Sequence, residues 1–381
     1  MKSIASKVRT ALRAGFPKTA SYTGADGRAW FVGAHGRAPS IAEFFCGDDT
    51  RPDGQARVRR GHVAAAGLEH AAGGAVAILC PERGALEFPD TGGRAVTAPL
   101  KVVLRKALPD TSEALMDGLR TSTTREDLRR IRKAGFSFRV TRDPEDVRLF
   151  HTRHYTPLVR QRFPEDGQIQ SVEKLLDDLG HGGEIVCAEL DGEWVAGLYN
   201  WAHVDNYAMG PLGIRDADEG VRQKRVVSGL LVASMERAVE LGRPTATLGF
   251  SLPFLGKGPI WFKAKWGCTL EVGPGDQAMQ LLLDLRHASV HKALAESPIV
   301  HCEADVLMVA SWLPPGEAAL NALVRDAGRF RSITRWHVFA ETETLAAAGE
   351  ALAVDDRIVP IAVDPGGSDP LWVGQLLPKR K

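Results

Sequence analysis

No two cysteines stand at a C-x-x-C spacing in this 381-residue chain, and the five present (Cys46, Cys80, Cys187, Cys268, Cys302) are scattered and odd in number. That pattern argues against a disulfide framework or a cysteine zinc site and fits a reducing compartment. Charge of one sign is lacking too. Lys and Arg number 48 against 47 Asp and Glu, a formal net charge of +1, so nothing in the bulk electrostatics favours nucleic acid or an anionic membrane. No apolar run approaches the roughly 20 residues that a membrane-spanning helix needs. The basic N-terminus (Lys2, Lys7, Arg9, Arg13, Lys18) has no apolar core, which excludes a secretory signal. Ile4, Val8 and Leu12 recur there at helical spacing; a frayed solvated end is the first reading and membrane-surface binding the second. A cytoplasmic protein is expected. Neither a Ser/His/Asp nor a Cys/His arrangement stands out, His35 and His62 have no partners at ligand spacing, and no metal is expected.

What is present is ordinary for a soluble globular protein, at 44% apolar and 25% charged residues. The length exceeds one typical domain, and three regions are expected: an α/β region over 1–120, a central domain over 121–285, and a C-terminal α/β region over 286–381. In the first, Ala29–Val32, Ala75–Cys80 and Val102–Leu104 read as strands and Arg51–Arg60 as a polar loop. In the last, Val306–Ala310, Trp336–Phe339 and Ile358–Val363 read as strands and Glu317–Ala327 as a helix.

The central region is the most legible. Thr123 and Glu126 stand at capping-box spacing before a helix that Gly135 ends; its face of Arg125, Arg129, Arg130, Arg132 and Lys133 is solvated or, less simply, phosphate-binding. Asp143-Pro144-Glu145 starts another helix that Pro157 interrupts near Thr156, exposing Tyr155, Arg160 and Arg162 either as a ligand rim or, equally, as ordinary surface residues. Ile185–Leu190, Asp191-Gly192 and Trp194–Trp201 make a hairpin with a type I′ turn. A third strand follows from Tyr207 to about Ile214, then a helix from about Asp218 that Gly242 stops, then a strand over Thr245–Phe250. The chain next enters Ser251-Leu252-Pro253-Phe254-Leu255-Gly256-Lys257-Gly258-Pro259-Ile260-Trp261-Phe262-Lys263-Ala264-Lys265-Trp266-Gly267. Glycine and proline force irregular backbone at its start, and two lysines lie among aromatic rings at its end. A ligand site and a turn whose aromatics plug the core are both open on composition.

This order of elements is similar to the core of the Gcn5-related N-acetyltransferase (GNAT) fold, and the residues resemble its FemAB-like branch, notably the BioF2-like acetyltransferase domain. The matching pieces are Ser122-Thr123-Thr124-Arg125 with Leu128-Arg129-Arg130, Tyr155-Thr156-Pro157 with Arg162-Phe163, Ser251-Leu252-Pro253-Phe254-Leu255, and Phe262-Lys263-Ala264-Lys265-Trp266-Gly267. They span about Thr121 to Gly267. The resemblance implies an α/β fold with a mixed sheet, either single or in tandem halves. It implies acyl transfer to an amine or hydroxyl of a sugar, peptide or small metabolite, with acyl-CoA as donor and no metal. An aminoacyl-tRNA donor extending a cell-wall precursor, or a non-catalytic binding protein, are the alternatives.

By motif the reacting centre is Lys263, with Phe254, Phe262, Lys265 and Trp266 around the substrate. The donor is expected where the strands ending near Leu212-Gly213 and Phe250 splay apart, with Arg222, Lys224 and Arg225 on its phosphates. Two departures stand out. The spaced glycines of the family's phosphate loop are absent before the helix, where Asp216, Asp218 and Glu219 stand instead. Thr247 occupies the place of a frequent Asp, so a general base is sought at His203, Asp205 or Tyr207, with Tyr199 and Asn200 behind them.

Overall fold

A computed structural model describes residues 18–32, 38–47, 49–58, 62–79, 91–162, 169–256, 258–273, 278–303, 306–366 and 369–377. The basic N-terminal stretch, His35, Cys80, Phe163 and Lys257 lie outside the described residues. Strands are numbered along the chain: β1 (Lys18–Gly24), β2 (Gly27–Val32), β3 (Arg51–Arg57), β4 (Ala75–Leu79), β5 (Val96–Pro99) and β6 (Val102–Ala107). Then come β7 (Ser137–Thr141), β8 (Gly183–Leu190), β9 (Glu193–Ala202), β10 (Tyr207–Ile214), β11 (Thr245–Ser251) and β12 (Thr269–Val272). The last are β13 (Ala278–Leu282), β14 (Ile299–Glu303), β15 (Val306–Trp312), β16 (Arg335–Glu341) and β17 (Ile358–Val363). The fold is α/β with mixed sheets, in two compact units: Met1–Val102 with Ser251–Trp261 and Glu271–Lys381, and Val103–Phe250 with Phe262–Leu270.

The first unit joins both ends of the chain. Its six-stranded sheet runs β3-β1-β2-β4-β13-β5, and a four-stranded sheet runs β14-β15-β16-β17. Strand β13 lies between β4 and β5, antiparallel to both. Phe31, Ile78, Met279, Leu281, Leu294 and Phe339 therefore bury into one core. The units thus divide elsewhere than at 120 and 285. A five-residue run such as Ala278–Leu282 does not announce which distant strands it will join. Arg51–Arg57, expected as a loop, is an edge strand whose every residue is exposed. Its polarity is how an edge avoids pairing with other chains.

The second unit holds a seven-stranded sheet, β12-β6-β11-β10-β9-β8-β7. The expected meander forms: Asp191 (φ 53°) and Gly192 (φ 80°) both sit in the left-handed region that a type I′ turn demands. The helix after β10 comes in two pieces. Asp218 caps a short segment, Glu219–Gln223, and Arg225 at φ 68° breaks the path before the long helix Val226–Glu240. The chain then returns as β11, parallel to β10.

Two other expectations change. The capping box does not form: Thr124 takes the N-cap position, and Glu126 instead binds Arg129 and Arg130. Pro157 does not interrupt its helix. Pro144–Leu149 widens into a π-turn at Phe150–Tyr155 and continues as Thr156–Arg162. Proline's missing N–H falls where the i→i−4 ladder is already broken, and the wide turn makes room for its ring. The π-turn lies directly on β10. A β-carbon at Gly213 would come within 2.7 Å of the Tyr155 nitrogen and the His154 β-carbon, so only glycine permits this approach.

Candidate functional site at the parting of two strands

Strands β10 and β11 are paired only at Tyr207–Ala246 and Ala208–Thr247, after which β10 runs on to Ile214 and β11 to Ser251. On its other side β10 shifts register against β9 between Met209 and Leu212. A register shift of this kind bends a strand locally. From Met209 onward the backbone groups of β10 that point toward β11 lack that strand as partner, which suits them to hold a ligand's polar atoms.

Lys263 sits at this opening. Its Nζ donates to the Phe250 carbonyl at 3.1 Å. A β-carbon at Gly249 (φ 69°) would lie 3.7 Å from the same nitrogen and 3.2 Å from the Met209 carbonyl. The ammonium and both strands thus meet where pairing ends. Burial pulls its pKa down to about 8, against a smaller opposing pull from Cys268. The Cys268 thiol is itself pushed up to about 12 by burial, despite Lys106 and Lys263 nearby. It stays protonated at neutral pH and is no nucleophile. Phe250, 48% exposed, stands beside the lysine's acceptor carbonyl as an aromatic surface.

Lys265, two residues on, has another role. It forms a salt bridge with the buried Asp127, and its ammonium lies 4.4 Å from the Phe262 ring centroid and 5.2 Å from that of Trp266. Asp127 also accepts from Ser228 Oγ at 3.2 Å and lies 3.5 Å from Arg225 Nε. One buried carboxylate thereby ties the lysine stretch to the start of the helix Val226–Glu240. Lys265 is committed to structure, and Trp266, 1% exposed, is core. Phe262 is half-buried, edge-on to Trp266 at 6.5 Å. Phe254 falls in the first unit, where it stacks on Phe44 at 4.2 Å and bridges to Ile299.

The other expected residues divide as follows. Tyr155 is buried against Phe150, its hydroxyl accepting from the Gln170 N–H, so it forms no rim. Arg160 and Arg162 are exposed. Tyr207 is fully buried at the closed end of the strand pair, and its hydroxyl donates to Glu184 Oε1 at 2.9 Å. Burial and that carboxylate raise its pKa, which removes it as a base. His203 and Asp205 are exposed in the turn before Tyr207, away from the opening. Tyr199 donates to the Leu175 carbonyl and Asn200 to the Leu198 carbonyl, both in the core. Thr247, where an acid was sought, donates to Asn206 Oδ1 at 2.8 Å.

Glu184 carries no sequence motif, yet it is a hub. Fully buried, it takes Arg142, Arg237 and Tyr207 on its two oxygens. Burial alone would raise its pKa; those three donors hold it below the ordinary value.

At the start of the long helix, Arg222 pairs with Glu219 and Arg225 with Asp127, while Lys224 is exposed with no ion pair among the described residues. The acids that would oppose a phosphate here are themselves engaged: Asp216 holds Arg153 through two hydrogen bonds, and Asp218 caps Gly220 and Val221.

Residues 120–251 match the family described as Acetyltransferase (GNAT) domain. No curated protein matches the chain. Among solved structures, FemX is 12% identical over 48% of this chain and 61% of its own, with a TM-score of 0.39. The L-PGS of Bacillus licheniformis is 12% identical over 70% and 81%, with a TM-score of 0.35. A GCN5-related N-acetyltransferase from Kribbella flavida is 14% identical over 54% and 67%, at 0.27. This chain therefore spans less than two thirds of the FemX structure. Likenesses at these scores carry no argument; the family match places a GNAT acetyltransferase domain over residues 120–251.

Proposed function

We propose that the domain at residues 120–251 moves an acyl group from acyl-CoA to an amine or hydroxyl of a sugar, peptide or small metabolite, with the thioester seated where β10 and β11 part. The observation that carries this reading is the opening itself, with Lys263 at its mouth. The donor fits the residues present. The unpaired stretch of β10 offers backbone donors to the pantetheine and the thioester oxygen. The pyrophosphate falls to the start of helix Val226–Glu240, where Arg225, Arg222 and Lys224 are exposed. Exposed ion pairs such as Arg222–Glu219 are weak and yield to a phosphate.

In the reaction the acceptor nitrogen attacks the thioester carbon, the carbon–sulfur bond breaks, and coenzyme A leaves as the thiolate, which takes a proton from water. Lys263 as an ammonium stabilises the oxyanion together with β10. Among the described residues no carboxylate or imidazole is placed at the opening, so the surplus proton of the amine passes to water while positioning supplies the rate. Phe250 and Phe262 offer apolar surface to the acceptor.

Removing an oxyanion-stabilising donor costs about 10²–10³ in rate. Lys263→Ala is expected to lose that much thiol release from acetyl-CoA, measured over a panel of primary amines and amino sugars. Its melting temperature should fall by no more than a few degrees, since the substitution removes the hydrogen bond to the Phe250 carbonyl, worth about 1 kcal/mol. A variant that transfers normally, or that unfolds, overturns the assignment.

A further inference from the structure

We propose that Trp201 sets the length of the acyl group, holding the donor to short chains such as acetyl and propionyl; this rests on the reading of the β10–β11 opening as the thioester site. The ring stands where the strands begin to part. Gly210 is the second residue of β10 beyond its last pair with β11, at Ala208–Thr247. A β-carbon on Gly210 would come within 2.0 Å of Trp201 Cζ3 and 2.4 Å of its Cη2. The indole of β9 therefore reaches across onto the face of β10, and only glycine admits it there.

The register says which side of the sheet this is. Trp201 pairs with Ala208, and Ala208 with Thr247; directly opposed residues point to one face. The indole thus shares a face with Thr247. Two residues on, a β-carbon at Gly249 would stand 3.7 Å from Lys263 Nζ, and side chains two apart on a strand again share a face. Trp201 and Lys263 flank the opening on that side, the ring over β10 and the ammonium beside β11.

An acyl chain entering between the strands has three ways to extend. Straight ahead it meets the paired residues Tyr207–Ala246 and Ala208–Thr247. On the opposite face Tyr207, Met209, Ala246 and Leu248 are all buried. That layer is held in place, since Tyr207 donates to Glu184, which also binds Arg237 of the helix Val226–Glu240. The third way is the face where Trp201 stands. The ring is half-buried and backed by Tyr199, edge-on at 5.3 Å, whose hydroxyl donates to the Leu175 carbonyl at 2.6 Å. A rigid aromatic with a fixed backing cannot yield to a long chain without repacking the core behind it.

The test is calorimetric titration of wild type, Trp201→Ala and Trp201→Phe with acetyl-, propionyl-, hexanoyl- and octanoyl-CoA. Each affinity is read relative to that of free coenzyme A, so a loss common to all ligands cancels. Wild type should bind hexanoyl- and octanoyl-CoA at least about tenfold more weakly than acetyl-CoA, because a filled pocket rejects even one surplus methylene by about that factor. Trp201→Ala should erase that gap, and Trp201→Phe should narrow it. Circular dichroism checks each fold, and the phenylalanine variant, which keeps a ring against Tyr199, carries the test if the alanine variant does not fold. Wild type that takes octanoyl-CoA as tightly as acetyl-CoA, or a chain-length profile unchanged by the substitutions, overturns the assignment of Trp201 and leaves the thioester site standing. Wild type that binds neither free coenzyme A nor any of the thioesters overturns both.

Discussion

The two ends of the β10–β11 pair are built on opposite terms. At the closed end the polar side chains are tied to one another: Tyr207, Arg142 and Arg237 on Glu184, and Thr245 and Thr247 on Asn206. At the open end the strands separate, backbone groups of β10 lose their neighbour, and a lysine of lowered pKa stands between them. A saturated network holds geometry; an unsaturated one offers it to a ligand. The lysines 263 and 265 repeat the contrast two residues apart, one at the opening and one locked onto Asp127.

The contrast breaks most readily at the closed end. Glu184→Ala leaves two arginines and a phenol without their acceptor, and losing one partner of a buried charged set costs about 3–5 kcal/mol. Urea unfolding should show that loss with the slope unchanged. A cost below about 1 kcal/mol would mean the network does not hold the strands.

Lys265→Ala should cost less, about 1–3 kcal/mol, because Ser228 and Arg225 remain on Asp127. Chemical denaturation reads the value. The same variant should keep far more transfer activity than Lys263→Ala, and equal losses would erase the distinction between the two lysines.

The smallest effect is in pH. Burial lowers Lys263 from 10.5 to about 8, so it releases its proton as pH rises through about 8. Transfer that uses the ammonium should therefore fall above that pH in kcat/KM profiles, and Lys263→Arg should abolish the fall. Between about 8 and 10.5 the unfolded chain keeps a proton that the folded chain has released, so this group makes stability rise with pH across that window. Lys263→Met should flatten that rise.

The meander and its helix were legible because local chemistry dictated them. Asp191-Gly192 permits one turn, Gly135 and Gly242 take left-handed caps, and alternation marks the strands. The Phe262-Lys263 motif singles out Lys263, and the structure sets its ammonium on the Phe250 carbonyl. Burial was not: Tyr155 and Tyr207 look like functional polar residues in sequence, and only packing shows their hydroxyls spent in the core. Glu184 does carry a signal, an acid directly before the apolar run Ile185–Ala188 in the strand Gly183–Leu190, since a charge so placed must be paired. Asp127 was hidden among first-turn acids that the helix dipole alone accounts for. The joining of β13 to β4 and β5 is a long-range event with no local signature.

Whether the opened strands take an acyl thioester is tested most directly by thermal unfolding with acetyl-CoA, longer acyl-CoAs and free coenzyme A. A ligand that binds only the folded state, present at 100 times its dissociation constant, adds about 2.7 kcal/mol. The expected result is a clear rise in melting temperature that grows with ligand concentration. No rise with any of the three, at concentrations into the millimolar range, would contradict an acyl-CoA site between β10 and β11.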